Sequence, residues 1–230
     1  MGFNSPTPNI IEAKGIKRGF PSGDDMFWAL NGVDVVVEEG KLTLLKGRSG
    51  SGKTTLMNIL GALDSPTEGE VIFLEESLNQ MSEDKKSIIR RNQMGFVFQS
   101  VALISMMTAY ENVEFILRIN NYPADQWKQR TEECLRLVGL EPRMNHLPQE
   151  LSGGEQQRVA IARSIAHKPK IVFADEPTAE LDTKTGLQVV KIFKDLVEQE
   201  NIAIVISTHD PGLMEVADRA YELKDGEIIN

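Results

Sequence analysis

The sequence is poor in the residues that build disulfides and thiolate metal clusters. Its 230 residues contain one cysteine, Cys134, and three histidines that are widely separated along the chain. A single cysteine excludes an internal disulfide, and together with the scattered histidines it argues against a zinc site. Cys134 falls within a helical pattern of apolar residues, so we predict that it is a buried thiol.

A basic face and a long apolar run are also missing. Lysine and arginine together number 25 against 34 acidic residues, which gives a formal net charge of −9. This charge argues against a sequence-independent nucleic-acid binder and against adhesion to anionic lipid through charge alone. No run approaches the ~18 apolar residues that a membrane span needs, and no secretory signal is visible. We therefore expect a cytoplasmic protein that binds no nucleic acid.

Residues 47–54 match the pattern G-x-x-x-x-G-K-[ST] between a predicted strand at residues 42–45 and a predicted helix at residues 55–60. In that context the glycines let backbone N–H groups crowd an anion, and the helix start adds its positive dipole end. Lys53 would reach the β- and γ-phosphates, and the Thr54 hydroxyl would bind Mg²⁺. A glycine-rich surface turn is the alternative. We predict nucleotide contacts from Gly47, Arg48, Ser49, Gly50, Ser51, Gly52, Lys53, Thr54 and Thr55.

A second anion site is predicted further along the chain, at the start of another helix. Ser152 suits an N-cap, and Gly153 and Gly154 expose backbone N–H groups at the positive helix end. One nucleotide has one γ-phosphate, which the first loop already holds. Two such sites in one chain therefore suggest that two chains share each nucleotide. A simple capped helix is the alternative.

Polar side chains also end three other apolar strands. Asp175 suits Mg²⁺, bound through a water, and Glu176 suits a general base or a group that positions the attacking water. Gln99 could bind Mg²⁺ or that water. His209 could donate to the γ-phosphate. The alternatives are solvated turn acids, an ordinary loop amide and a satisfied polar histidine.

An antiparallel hairpin is predicted before the phosphate strand, from residues 10–19 and 29–37 with a turn cluster between them. Phe20 lies just before that turn. Its ring either packs on the core or stacks on an adenine. Residues 109–119 and 126–138 show helical spacing, and the last residues of the sequence predict a closing hairpin.

With these motifs in place, residues 10–229 resemble the ATP-binding subunits of ABC transporters. The motifs of that family fall at matching positions along the chain. They are Walker A at residues 47–54, the Q-loop at Gln99, the signature at residues 151–156, Walker B with the catalytic glutamate at residues 171–176, the D-loop at Leu181 and Asp182, the switch histidine at His209 and the adenine-stacking aromatic at Phe20. Glu155 stands where the family signature usually has glutamine.

The resemblance implies an α/β fold of the P-loop NTPase type, with a RecA-like core and a small antiparallel β subdomain. A single domain would span residues 1–230, and an α-helical subdomain at about residues 100–165 would be inserted in the core. The implied activity is hydrolysis of ATP with Mg²⁺ by a head-to-tail homodimer or pseudo-dimer with two ATP at the interface. The implied catalytic residues are Glu176, His209, Lys53 and Gln99. The implied metal ligands are Thr54, Gln99 and Asp175. The implied nucleotide contacts beyond the phosphate loop are Phe20, Ser152, Gly153, Gly154, Glu155 and Asp182.

A finer resemblance is to the ATPases of lipoprotein release, macrolide export and cell division, and it is carried by residues 56–64, 158–163 and 174–178. It implies a subunit on the inner face of the cell membrane, held there only by an integral-membrane permease of the exporter or mechanotransmission type. A regulatory ATPase that signals without transport is the alternative. Ala179 and Glu180 depart from the usual D-loop residues and place an extra acid near the expected dimer seam.

Overall fold

The computed structural model describes residues 8–23, 25–208 and 216–229. Within these residues the chain forms two β-sheets and six α-helices. The strands are β1 (Asn9–Ser22), β2 (Asp25–Glu38), β3 (Leu42–Lys46), β4 (Glu68–Phe73), β5 (Glu76–Ser77), β6 (Met94–Val97), β7 (Ile171–Asp175), β8 (Ala203–Thr208), β9 (Arg219–Lys224) and β10 (Glu227–Ile228). The helices are α1 (Lys53–Leu60), α2 (Glu83–Gln93), α3 (Ala109–Ile119), α4 (Trp127–Leu137), α5 (Gly153–Ile165) and α6 (Thr183–Glu200).

The larger sheet has six strands in the order β10-β9-β3-β8-β7-β6, and all neighbours except β10 and β9 run parallel. Its central strand β8 is buried at every residue. A parallel sheet is covered on both faces, which explains why its strands read as continuous apolar runs. Because the strands are parallel, the carboxyl ends of β3, β7 and β8 lie at one edge of the sheet, where ligands bind in open α/β sheets.

The smaller sheet confirms the predicted hairpin and extends it. Its order is β2-β1-β4-β5, and β1 pairs antiparallel with β2 up to the contact of Ser22 with Asp25. One apolar cluster joins this sheet to α1 and to one face of the larger sheet through residues such as Ile11, Leu56 and Val205. The smaller sheet therefore braces the helix that follows the phosphate loop.

Helices α3, α4 and α5 pack together on the other face of the larger sheet. A second apolar cluster joins them to that face and to α6 through residues such as Val113, Ile161 and Val172. Cys134 belongs to this cluster and is fully buried, as predicted. Burial raises the pKa of its thiol to about 12, so the group is a packing residue.

The strand predicted up to Gln99 ends earlier, at Val97. Among the described residues β6 is an edge strand that pairs only with β7, and the last pair joins Val97 to Ala174. Helix α5 lies directly on this strand, since a Cβ added at Gly95 would come within 2.3 Å of the Ser164 carbonyl oxygen. Gln99 consequently lies in the loop beyond the sheet.

Arg130 on α4 ties three helices together. Its guanidinium donates to the carbonyl oxygens of Ile165 at 2.9 Å and Ala166 at 3.1 Å, at the end of α5. It also donates to the Glu200 carboxylate at 3.0 Å, at the end of α6. The side chain is only 2% exposed. The hydrogen bonds to these partners offset the free-energy cost of burying its charge.

We predict that Arg130→Met destabilises the protein by about 3 kcal/mol, because two helix-end carbonyls and a partly buried carboxylate lose their donor. Urea unfolding followed by circular dichroism measures the effect. The control is Arg136→Met on the same helix, whose exposed pair with Glu141 is worth at most about 1 kcal/mol. Equal unfolding midpoints for the two variants would contradict the role of Arg130.

Candidate nucleotide site

The phosphate loop, residues 47–54, is shaped by close backbone approaches. A Cβ at Gly47 would lie 2.4 Å from the Leu223 carbonyl oxygen, and a Cβ at Gly52 would lie 2.7 Å from the Ala29 carbonyl oxygen. Gly52 also adopts φ 105° as the N-cap of α1, where no side chain caps the helix and its first turn carries no acid. The first N–H groups of α1 are therefore open to an external anion.

Ser51 adds a second indication that the loop is built for an anion. The residue is buried, and its hydroxyl has no hydrogen-bond partner among the residues that the structure describes. A buried hydroxyl normally finds an acceptor. Phosphate oxygens are suitable acceptors, so the loop fits the group that its sequence pattern predicts.

Lys53 is buried at the base of this loop, with 5% of its side chain exposed. Its ammonium donates to the carbonyl oxygens of Gly47 at 2.8 Å and Arg48 at 3.1 Å. It also lies 3.4 Å from a carboxylate oxygen of Glu176. Two of the predicted catalytic residues, Lys53 and Glu176, are thus in direct contact.

Thr54 and Asp175, both predicted metal ligands, also meet. The Thr54 hydroxyl lies 3.0 Å from a carboxylate oxygen of Asp175, and the Ser207 hydroxyl donates to the other oxygen. The described residues contain no group of three or more His, Cys, Asp or Glu side chains placed to hold a metal. A hydroxyl and one carboxylate fit Mg²⁺, which keeps most of its ligands as water and phosphate oxygens.

Glu176 is held by its backbone as well as by its side chain. Its φ of 44° is in the left-handed region, which is uncommon for a non-glycine residue. Its N–H lies 2.9 Å from the Ser207 hydroxyl oxygen, and its carbonyl accepts from the Ala179 N–H at 3.2 Å. Strained backbone of this kind concentrates at functional sites.

Ser207 is a site residue that our reading of the sequence missed. Its hydroxyl bridges the carboxylate of Asp175 and the N–H of Glu176. The only signal in the sequence is the change from apolar to hydroxyl residues at the end of β8. The bridge itself depends on the register that pairs Asp175 with Ser207 across two strands.

The predicted second anion site has the expected helix cap. The Ser152 hydroxyl accepts from the Glu155 N–H, and the Glu155 carboxylate accepts from the Ser152 N–H at 2.8 Å, which forms a capping box. That backbone bond lowers the pKa of Glu155, and the nearby Arg143 adds to the effect. Helix geometry leaves the N–H groups of Gly153 and Gly154 for an external acceptor.

The start of α5 packs tightly against the start of α6. A Cβ at Gly154 would lie 2.2 Å from Cγ2 of Thr185. The Thr185 hydroxyl donates to Asp182 at 2.6 Å. This hydrogen bond fixes the Thr185 side chain in the rotamer that places Cγ2 against Gly154. Asp182 caps α6, and the Thr185 hydroxyl is the main cause of its lowered pKa. In this chain its oxygens therefore bind the backbone and side chain of its own helix.

The site residues form two groups. The phosphate loop, Asp175 and Glu176 lie together at the edge of the sheet. No hydrogen bond or ion pair within residues 8–23, 25–208 and 216–229 joins residues 152–155 to that loop. Gln99 lines a cavity of about 240 Å³ together with residues from both groups, including Gly153 and Glu176.

Phe20 stands apart from these two groups. Phe20 is 39% exposed near the tip of the β1–β2 hairpin, and the Arg18 guanidinium lies 4.6 Å from its ring centre. The ring is presented at the surface, as stacking on a base requires. His209 lies outside the described residues, so its predicted role stays a prediction.

Comparisons of the sequence and of the structure with known proteins agree on one family. A family model described as ABC transporter matches residues 30–179. The uncharacterized ABC transporter ATP-binding protein MJ1508 of Methanocaldococcus jannaschii is 44% identical over 220 residues, which covers 96% of this chain and 98% of that protein. The macrolide export ATP-binding/permease protein MacB of Bartonella henselae is 40% identical over 220 residues, and this chain spans 33% of its length.

A solved structure supports the same relationship. The dimeric post-hydrolysis structure of the ATP-binding cassette MJ0796, bound to ADP and Pi, matches with a TM-score of 0.87 at 40% identity. The match covers 96% of this chain and 97% of that one. The predicted fold class is confirmed by this likeness and by the two sheets and helices described above.

We predict that Gly154→Ala separates the starts of α5 and α6 and lowers the melting temperature, because the added methyl group overlaps Cγ2 of Thr185. Thr185→Ser removes Cγ2 but keeps the hydroxyl that binds Asp182. The double variant Gly154→Ala/Thr185→Ser should therefore recover most of the loss, a coupling expected of residues in contact. Differential scanning fluorimetry of the four proteins measures it. Additive effects of the two substitutions would contradict the packing.

Proposed function

Because the chain belongs to the ABC transporter family and is an ATP-hydrolysing subunit of it, we propose that it closes as a homodimer on two Mg·ATP to drive a membrane permease. The observation that carries this proposal is the meeting of Lys53, Thr54, Asp175 and Glu176 at one edge of the sheet. That edge would offer a phosphate cradle, oxygen ligands for magnesium and a carboxylate able to direct water.

ATP binding would begin with an exchange at Lys53. Its ammonium now donates to Gly47 and Arg48 and lies against Glu176. Phosphate oxygens would take the place of these partners, while the Ser51 hydroxyl and the N–H groups of α1 donate to the same anion. Phe20 would stack on the adenine.

The metal would be held by Thr54 and Asp175, with Gln99 reaching in from the loop after β6. When bound, Mg²⁺ would supply positive charge that stabilises the phosphate groups. Ser207 would keep the Asp175 carboxylate oriented toward this position, because its hydroxyl already binds one of the two oxygens. The chain would thus contribute two oxygen ligands to the metal, the Thr54 hydroxyl and the Asp175 carboxylate.

Hydrolysis would use Glu176 to orient and deprotonate the attacking water. The developing charge on the γ-phosphate would be stabilised by His209 and by the partner chain's second anion site, which consists of Ser152, Gly153 and Gly154. Glu155 lies beside that site, but its charge is offset by the helix start and by Arg143.

The contacts of residues 152–155 support a site shared between two chains. The start of α5 is fixed within its own chain by the capping box and by the contact of Gly154 with Thr185. The N–H groups of Gly153 and Gly154 still require an acceptor. A nucleotide on a second copy supplies one, and the homologous cassette MJ0796 is dimeric with ADP and Pi.

A groove between α2, α3 and α5 is our proposed permease contact. It has a volume of about 420 Å³, with an apolar floor that includes Met94, Phe96 and Ile116 and a rim that includes Arg90 and Arg91. This lining suits a short amphipathic segment with acidic side chains. Its α3 and α5 belong to residues 100–165, which we propose as the helical subdomain.

Association with the membrane would then depend on that permease. No helix within the described ranges is long and apolar enough to cross a membrane. The MacB relatives are named as combined ATP-binding/permease proteins. This chain spans 33% of the length of one of them. Those relatives favour transport over the regulatory alternative, so we place the subunit on the inner membrane face.

We predict that Glu176→Gln binds ATP, hydrolyses it at least about a hundredfold more slowly and accumulates as a dimer, because it keeps the side-chain shape but loses the base. Size-exclusion chromatography with light scattering, with and without ATP, measures the dimer. The control Glu198→Gln makes the same change at an exposed position of α6 and should stay monomeric and active. Wild-type turnover by Glu176→Gln would exclude Glu176 as the base.

We predict that Ser152→Arg binds ATP as a monomer with unchanged affinity but loses hydrolysis, because the long cation blocks the partner's nucleotide. The substitution also removes a helix cap, so the matched control is Ser82→Arg, which removes the cap of α2 at a similar cost of about 1 kcal/mol. Fluorescent-nucleotide titration and phosphate release separate binding from turnover. Normal hydrolysis by Ser152→Arg would contradict the shared site.

A further inference from the structure

The guanidinium of Arg18 lies against the ring of Phe20 on the β1–β2 hairpin. The two residues stand two positions apart on β1, the spacing at which strand side chains share a face. The centre of the guanidinium lies 4.6 Å from the centre of the ring, which is a cation–π distance. Phe20 is nevertheless 39% exposed. The cation therefore covers one face of the ring and leaves the other face available to a base.

Asp64 holds the guanidinium in this position. Its two carboxylate oxygens accept from Nε of Arg18 at 2.8 Å and from Nη2 at 2.9 Å. A contact at two points fixes the plane of the guanidinium as well as its place. The two side chains are 26% and 31% exposed, so solvent screens the pair and it contributes orientation more than stability.

The end of α1 anchors the pair. The N–H of Asp64 donates to the carbonyl oxygen of Asn58 in α1 at 3.1 Å. The hairpin is fixed to the same loop, because the Gly19 N–H donates to the Thr67 hydroxyl at 3.0 Å. The start of α1 completes the phosphate loop, so the ring of Phe20 and that loop are connected to the two ends of one helix.

The second strand of the hairpin lies against the phosphate loop itself. Phe27 on β2 pairs with Phe20 on β1. Two residues after Phe27, the carbonyl oxygen of Ala29 lies where a Cβ at Gly52 would come within 2.7 Å. The aromatic ring is thus carried by a hairpin that touches the loop expected to bind the phosphates of the same nucleotide.

We propose that Arg18 is a positioning residue for the adenine of the nucleotide. It lies behind the Phe20 ring and keeps it in one rotamer, so the base does not have to order that side chain when it binds. Ordering one side chain costs about two- to tenfold in affinity. Arg18 acts through the ring and does not touch the nucleotide. The inference rests on the proposed stacking of Phe20 on adenine.

The test compares two ligands that share a diphosphate, Mg·ADP and Mg·pyrophosphate, in the full chain. Isothermal titration calorimetry measures both affinities without ATP turnover. We expect Arg18→Ala to weaken ADP binding about fivefold and pyrophosphate binding by less than about twofold, because only ADP carries a base. Phe20→Ala should weaken ADP binding at least as much, which is the scale of one base–aromatic stack, and it should also spare pyrophosphate.

Two further variants separate geometry from charge. Arg18→Lys keeps the charge but loses the planar fork that fits Asp64 and stacks on a ring, so we expect it to weaken ADP binding at least about threefold. The matched control is Lys17→Ala. Lys17 also lies over an aromatic ring, 5.9 Å from the centre of Trp28, and pairs with Glu68 at 2.7 Å. Its loss should leave both affinities within about twofold of wild type.

A double variant tests whether Arg18 acts through Phe20. In the Phe20→Ala background, adding Arg18→Ala should change ADP affinity by less than about twofold, because the ring that it positions is already absent. A purely structural role of Arg18 would instead weaken ADP binding further in that background.

Three results would overturn the inference. They are wild-type ADP affinity in Arg18→Ala or Arg18→Lys, equal losses of ADP and pyrophosphate affinity in Arg18→Ala, and a fivefold loss of ADP affinity that persists in the Phe20→Ala background. Wild-type ADP affinity in Phe20→Ala would instead overturn the adenine contact within the proposed function. The two failures are therefore distinguishable.

Discussion

The buried ammonium of Lys53 is the constraint on which the site depends. A charge at 5% exposure requires close partners, and here they are two carbonyl oxygens of the phosphate loop and the carboxylate of Glu176. These contacts fix the loop after β3, the start of α1 and the end of β7 relative to one another. The same partners would be exchanged for phosphate oxygens, so nucleotide binding and a change in the contacts of Glu176 would be one rearrangement.

The proposed second anion site belongs to a closely packed unit. The capping box at Ser152 orders the start of α5, and the contact of Gly154 with Thr185 locks that start to α6. Asp182 completes the unit by capping α6 from within. The cavity that Gln99 lines is also bordered by Gly153 of this unit and by Glu176. One cavity is therefore bordered both by residues that would face the partner's nucleotide and by the carboxylate that would act on the chain's own nucleotide.

Local patterns were sufficient to predict the strand, loop and helix around Lys53, the β1–β2 hairpin and the cap at Ser152, because each depends on residues close together in sequence. The end of β6 at Val97 was not predictable, since it depends on where the neighbouring strand stops pairing. Ser207 was missed because its bridge depends on the register between β7 and β8.

Disulfide cross-linking across the expected seam tests the shared site most directly. Cysteines replace Ser49 on the exposed face of the phosphate loop and Ser152 at the start of α5, in the Glu176→Gln background. The native Cys134 does not interfere, because it is fully buried and its thiol has a raised pKa. The account predicts a covalent dimer that forms on mild oxidation only when ATP is present. Chains that stay monomeric under oxidation with saturating ATP would contradict it.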